Sequence, residues 1–120
     1  MSRILVVDDE PSIAKTLVDL LAMHRFPAVS AASGEEALEV LTKEAIDLVL
    51  LDVRLPGLDG IEVSKRVAEE DPERVIVLVS SADPRELSPL AKNSGAAALL
   101  RKHWLTPRLL RGLWVAHRRR

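Results

Sequence analysis

The chain has 120 residues, of which 48% are hydrophobic and 29% charged, which predicts one soluble domain with a real core. A net charge of -1 gives no strong pull towards nucleic acid or membrane, and the absence of cysteine excludes a disulfide framework and any thiolate-held metal. No apolar run approaches the roughly 20 residues of a membrane span, and Met1-Ser2-Arg3 leads straight into a strand-like run, so a cytoplasmic location is expected.

Short apolar runs alternate with segments of helical period. Ile4 to Val7 is the first expected strand. It ends in Asp8-Asp9. A helix follows from about Pro11 to His24, with proline in its first turn and Ile13, Leu17, Leu20 and Leu21 on one face. A short second strand is expected near Ala28 to Ala32. Ser33-Gly34-Glu35-Glu36 has the spacing of a capping box and opens a helix to about Lys43. Ile46 to Leu51 is the third strand, and it too ends in carboxylate, at Asp52. Pro56-Gly57 marks a turn, and Asp59-Gly60-Ile61-Glu62 opens a third helix to about Glu70.

Asp71-Pro72 stops that helix. Val75 to Val79 is continuous and β-branched, as expected of a strand covered on both faces. A fourth helix begins at Asp83-Pro84, or later with Ser88 as its cap, because Pro89 removes a hydrogen bond if it lies inside. Gly95 ends it. Ala97 to Leu100 forms a fifth strand, and Thr106-Pro107 caps a last helix with Leu109, Leu110 and Leu113 inward. Five strands in strict alternation with five helices predict an α/β fold, a doubly wound parallel sheet spanning residues 1–120 without an internal boundary. The arginines at 118–120, with Arg108 and Arg111 upstream, offer a phosphate-binding or docking patch, but they suit better a helix C-terminus, where cations meet the negative end of the helix dipole.

In an open parallel sheet, ligands bind at the edge formed by the strand C-termini. Asp8, Asp9 and Asp52 should converge there. Three crowded carboxylates repel one another unless a cation joins them, and oxygen-only ligands favour a hard ion such as Mg2+. Ser80 closes the fourth strand, Lys102 follows the fifth, and Arg54 lies two residues beyond Asp52. A carboxylate nucleophile beside a metal, a hydroxyl and an ammonium suits phosphoryl transfer. The plainer reading makes Asp8 and Asp52 simple helix caps, as Asp59 is expected to be.

These residues carry a resemblance. Val6-Val7-Asp8-Asp9-Glu10, Leu50-Leu51-Asp52, Leu55-Pro56-Gly57-Leu58-Asp59-Gly60, Val79-Ser80, and Gly95-Ala96 leading to Lys102 occur in the order and spacing of a receiver domain of a two-component response regulator, over essentially the whole chain. The resemblance implies a flavodoxin-like sheet of order 2-1-3-4-5. It implies that Asp52 accepts a phosphoryl group from a sensor histidine kinase or histidine phosphotransfer protein. Asp9, Asp52 and the backbone carbonyl of Arg54 would bind Mg2+ directly, with Asp8 acting mainly through water. Ser80 would be the switch hydroxyl, and Lys102 would pair with the phosphoryl oxygens. Such a domain signals to a downstream protein or a fused output domain, and some homodimerise. It is not a separate enzyme.

Three positions depart from the family pattern. Leu99 stands where many receivers have an aromatic residue three places before the lysine, and His103 stands where proline commonly follows it. Pro89 falls in the fourth helix. All three map to the face of the fourth helix, fifth strand and fifth helix, which the family uses for partners. They raise an alternative, a receiver-like docking module that works without phosphorylation. Other classes fit poorly. Asp-Asp-Glu-Pro replaces the glycines of a dinucleotide-binding turn, no D-x-D follows the first strand as phosphatases of this chemistry commonly need, and no helix-turn-helix or basic face supports DNA binding.

Overall fold

The computed structural model describes residues 3–80, 89, 92–101 and 105–117, with the side chains of 113, 114 and 117 left aside. In chain order it contains β1 (Ile4–Val7), α1 (Pro11–Met23), β2 (Ala28–Ala31), α2 (Gly34–Lys43), β3 (Leu48–Asp52), α3 (Gly60–Glu70), β4 (Val75–Ser80), β5 (Ala98–Arg101) and α4 (Pro107–His117). The last of these is the expected fifth helix. The expected fourth lies outside the described residues, save for Pro89, which is helical and exposed, and the turn that ends at Gly95.

The five strands are all parallel, in the order β2-β1-β3-β4-β5. Each βαβ crossover buries a helix on one sheet face, so alternate side chains serve two cores. Leu5, Val7, Val49, Leu51, Ile76 and Leu78 meet Ala37 and Leu41 of α2 and Val63 and Val67 of α3. Ile4, Val6, Leu48, Leu50, Val77 and Val79 meet Leu21 of α1, Phe26 and Leu110 of α4. β1, β3 and β4 are buried at every residue, which accounts for their unbroken apolar sequences.

The helix starts follow the local chemistry, with variations at both expected capping boxes. Glu36 N donates to Ser33 Oγ at 3.1 Å, while the Glu36 carboxylate accepts from Ala32 N, one residue before the cap. Glu62 N donates to Asp59 Oδ1 at 2.9 Å, but the Glu62 side chain turns to Arg66 instead of completing the box. Leu109 N donates to Thr106 Oγ1 at 3.1 Å at the start of α4.

Two long-range polar contacts were not expected from the sequence. Arg74 Nε and Nη2 each donate at 3.3 Å, to the carbonyls of Ile46 and Leu41, so one guanidinium covers the end of α2 and the approach to β3. On the same face of the sheet, the buried Ser64 hydroxyl donates to the Ser94 carbonyl at 2.9 Å. Beside it Gly95 has φ +83, and a Cβ there would come within 2.3 Å of Ala68 Cβ, so α3 seats directly on the turn before β5.

Gly112 sits in the interior of α4 on its exposed side, and a Cβ there would meet nothing within 4 Å. Glycine in a helix interior costs about 0.5–1 kcal/mol relative to alanine. Gly112→Ala should therefore stabilise the fold by about that amount, read as a higher midpoint in urea with an unchanged slope.

Candidate metal and phosphoacceptor site

Parallel register brings the acidic residues together. Val7 of β1 pairs with Leu51 of β3, so Asp8 and Asp52 stand side by side just past that row. Asp8 N donates to the Ala31 carbonyl at 3.1 Å and Val53 N to the Val79 carbonyl at 3.0 Å, extending the sheet to the point where the carboxylates emerge. Asp8 and Asp52 are buried and Asp9 is exposed.

One carboxylate oxygen from each of Asp8, Asp9 and Asp52 can be chosen so that all three lie within 4.8 Å of one another. Oxygen atoms bound to one octahedral Mg2+ stand about 3 to 4 Å apart, so a small closure would satisfy the ion. The donor set is also right in kind: oxygen only, acidic, and at the open edge of the sheet. Asp8, Asp9 and Asp52 thus fit Mg2+.

Each buried carboxylate is oriented by the loop that follows it. Asp8 Oδ1 accepts from Glu10 N at 3.0 Å, and Asp52 Oδ1 accepts from Arg54 N at 3.0 Å. Neither acts as a helix cap. The N-cap of α1 is Glu10, without a side-chain bond, and that of α3 is Asp59. The plainer reading of Asp8 and Asp52 as caps therefore fails, while Asp59 does cap as expected.

The floor beneath Asp8 and Asp52 is largely apolar. A cavity of about 70 Å³ lies below them, walled by apolar side chains of β1, β3, β4 and α1 and by Leu105. Ser80 is the last residue of β4 and is buried, one place beyond Val79, the register partner of Asp52. It pairs with Arg101, so the chain leaves β5 for Lys102 at the same edge. Lys102 and His103 themselves lie outside the described residues. Leu99 is half-buried and packs on the α2/α3 side of the sheet.

Gly60 contributes to the site in a way the motif alone did not reveal. Its N–H donates to the Val53 carbonyl at 2.9 Å, and a Cβ on it would stand 2.1 Å from the Asp52 carbonyl oxygen. The start of α3 thus rests against the backbone of Asp52. The sequence signal was present, as a glycine directly after a helix cap in the loop after the third strand, but it read only as part of a helix start and of the family motif, without a role at the site.

The family model described as response regulator receiver domain matches residues 4–113. Sporulation initiation phosphotransferase F of Bacillus subtilis is 35% identical over 94 residues, covering 78% of this chain and 76% of that protein. The alkaline phosphatase synthesis transcriptional regulatory protein PhoP of the same organism is 37% identical over 117 residues, covering 83% of this chain; the chain spans about half of it (49%). Among solved structures, the response regulator protein TrrA from Thermotoga maritima, in complex with Mg(2+)-BeF, superposes with a TM-score of 0.82 at 30% identity, covering 94% of this chain and 96% of that one.

Proposed function

Because this chain belongs to the response regulator receiver domains, we propose that it is a phosphorylation-dependent switch whose phosphoacceptor is Asp52. The observation that carries this reading is the convergence of Asp8, Asp9 and Asp52 within 4.8 Å at the end of β1 and β3. The phosphodonor is a phosphohistidine on a sensor kinase or a phosphotransfer protein. A carboxylate oxygen of Asp52 attacks phosphorus, the P–N bond to the donor imidazole breaks, and the imidazole leaves with its electron pair and takes up a proton. Mg2+, when bound, offsets charge on the phosphoryl oxygens.

The other tasks fall to the chain. Asp9, Asp52 and the Arg54 carbonyl hold the ion, with Asp8 acting mainly through water. Arg54 N donates to Asp52 Oδ1 and so orients the carboxylate that reacts. Buried Ser80, at the end of the neighbouring strand, supplies a hydroxyl that turns to the phosphoryl group after transfer. Lys102, next after β5, pairs with the phosphoryl oxygens. The altered conformation changes affinity for a downstream protein or a fused output domain through the face of β5 and its flanking helices.

Acetyl phosphate with Mg2+ tests this directly. One phosphoryl adduct by intact mass is expected for the wild type, and none with EDTA or in Asp52→Ala. Leu99, an aliphatic side chain on β5 in place of the aromatic common in the family, favours a second reading, a docking module indifferent to phosphorylation. Absence of an adduct from a folded, Mg2+-binding wild type would select it.

A further inference from the structure

Where the end of α1 lies beside α4, several unusual features occur together. Met23, the last residue of α1, is 79% exposed, and Val115 on α4 is 51% exposed; they are the exposed large hydrophobic residues among those described. Phe26, between the two elements in sequence, is buried, with the Arg111 guanidinium of α4 4.7 Å from its ring centroid. Val115 follows Arg111 by one helical turn, and Met23 precedes Phe26 by three residues. Arg25 has φ +65, a left-handed conformation that costs a non-glycine residue about 1–2 kcal/mol.

The rim is cationic. Arg25, Arg108 and Arg111 are exposed, and none has an ion pair among the described residues. Arg108, Arg111 and Val115 share one stripe of α4, at the three- and four-residue spacing of a helix face. The nearest acid on α1, Asp19, is held by Lys15 at 2.7 Å. An arginine over an aromatic ring, flanked by exposed apolar side chains, has the composition of a binding hot spot.

We infer that this surface, formed by Met23, Arg25, Phe26, Arg108, Arg111 and Val115, docks an acidic protein segment with apolar anchors. Charge complementarity selects that occupant. A second copy placed across a twofold axis would set this cationic rim against itself, which like-charge repulsion opposes. An anionic bilayer would gain from the local cations, but the chain as a whole carries -1, and among the described residues this surface offers only Met23 and Val115 for insertion. The anchors of the segment would cover Met23 and Val115, and its carboxylates would pair with the three arginines.

The test uses the full chain, labelled with nitrogen-15. The probe is a synthetic helical peptide with leucines four residues apart and a glutamate rim. The controls are the same peptide with lysine for glutamate, and vesicles containing phosphatidylglycerol. Saturable shifts are expected at residues 22–27 and 108–116, and the lysine peptide should leave them unmoved. The double variant Met23→Ser, Val115→Ser should weaken binding by at least about tenfold. Its melting temperature should be near the wild-type value, because both side chains are exposed. Asp52→Asn should bind the peptide as the wild type does, which separates this surface from the phosphoacceptor reading. No shift, equal binding of the lysine peptide, indifference to the double variant, or preference for vesicles would each overturn the inference.

Discussion

Replacing Gly60 by alanine is expected to destabilise the domain by about 2–4 kcal/mol and to impair the acidic site with it. The added methyl would stand 2.1 Å from the Asp52 carbonyl oxygen, 2.7 Å from Val53 Cα and 2.9 Å from Asp52 C. All three atoms belong to backbone, so no side-chain rotation relieves the overlap. Either α3 withdraws and loses the 2.9 Å bond from Gly60 N to the Val53 carbonyl, or β3 shifts at its reactive end. Both routes move Asp52. Urea unfolding reads the first part, and Mg2+ titration with phosphorylation by acetyl phosphate reads the second. Asp59→Ala is the matched control. It removes the cap bond to Glu62 N and should cost about 1 kcal/mol, leaving Mg2+ affinity near the wild-type value. A Gly60→Ala protein with unaltered stability and Mg2+ affinity would refute the close approach.

The second large effect has the opposite sign. Asp52→Asn should stabilise the domain in EDTA by about 1–2 kcal/mol while abolishing phosphorylation. Two like charges 4.8 Å apart repel by roughly 3 kcal/mol at an effective dielectric constant near 20, and exposure of Asp9 reduces this by screening. Asparagine keeps an oxygen in place to accept the 3.0 Å bond from Arg54 N, so the loop is preserved and only charge is lost. The same substitution should remove most of the stabilisation that Mg2+ gives. In the wild type that stabilisation reaches about 2.7 kcal/mol at 100 times the dissociation constant. A clear loss of stability for Asp52→Asn in EDTA would show that the carboxylates are not in net repulsion.

Much of this was legible in the chain, because the signals were local. The sheet follows from apolar runs such as Val75-Ile76-Val77-Leu78-Val79 alternating with helical stripes, and its order came with the family resemblance. The boundaries moved by a residue or two. β3 begins at Leu48, not Ile46, and runs through Asp52; β5 runs from Ala98 to Arg101, not from Ala97 to Leu100. Strand ends depend on hydrogen bonds to neighbouring strands, which a single segment does not contain. Asp8, Asp9 and Asp52 could be placed together because parallel strands share an edge. Ser64 with Ser94, Arg74 with two distant carbonyls, and Phe26 with Arg111 could not. Each joins residues far apart in sequence through side chains that look ordinary where they stand. The resemblance pointed to the phosphoacceptor edge, and it was silent about the opposite end of α1.

The register has a consequence for how the domain is made. β1 sits inside the sheet, between β2 and β3, and Val7 is aligned with Leu51. Asp8, Asp9 and Asp52 are therefore assembled by the pairing of β1 with β3, within the first 52 residues, while Ser80 and Lys102 come from later ones. As the chain leaves the ribosome amino end first, the three carboxylates can come together before Ser80 and Lys102 have been synthesised. Cation binding is thus available to stabilise a nascent β2-β1-β3 core. On the proposed function, a response to phosphorylation would wait for β4 and β5 to close the sheet.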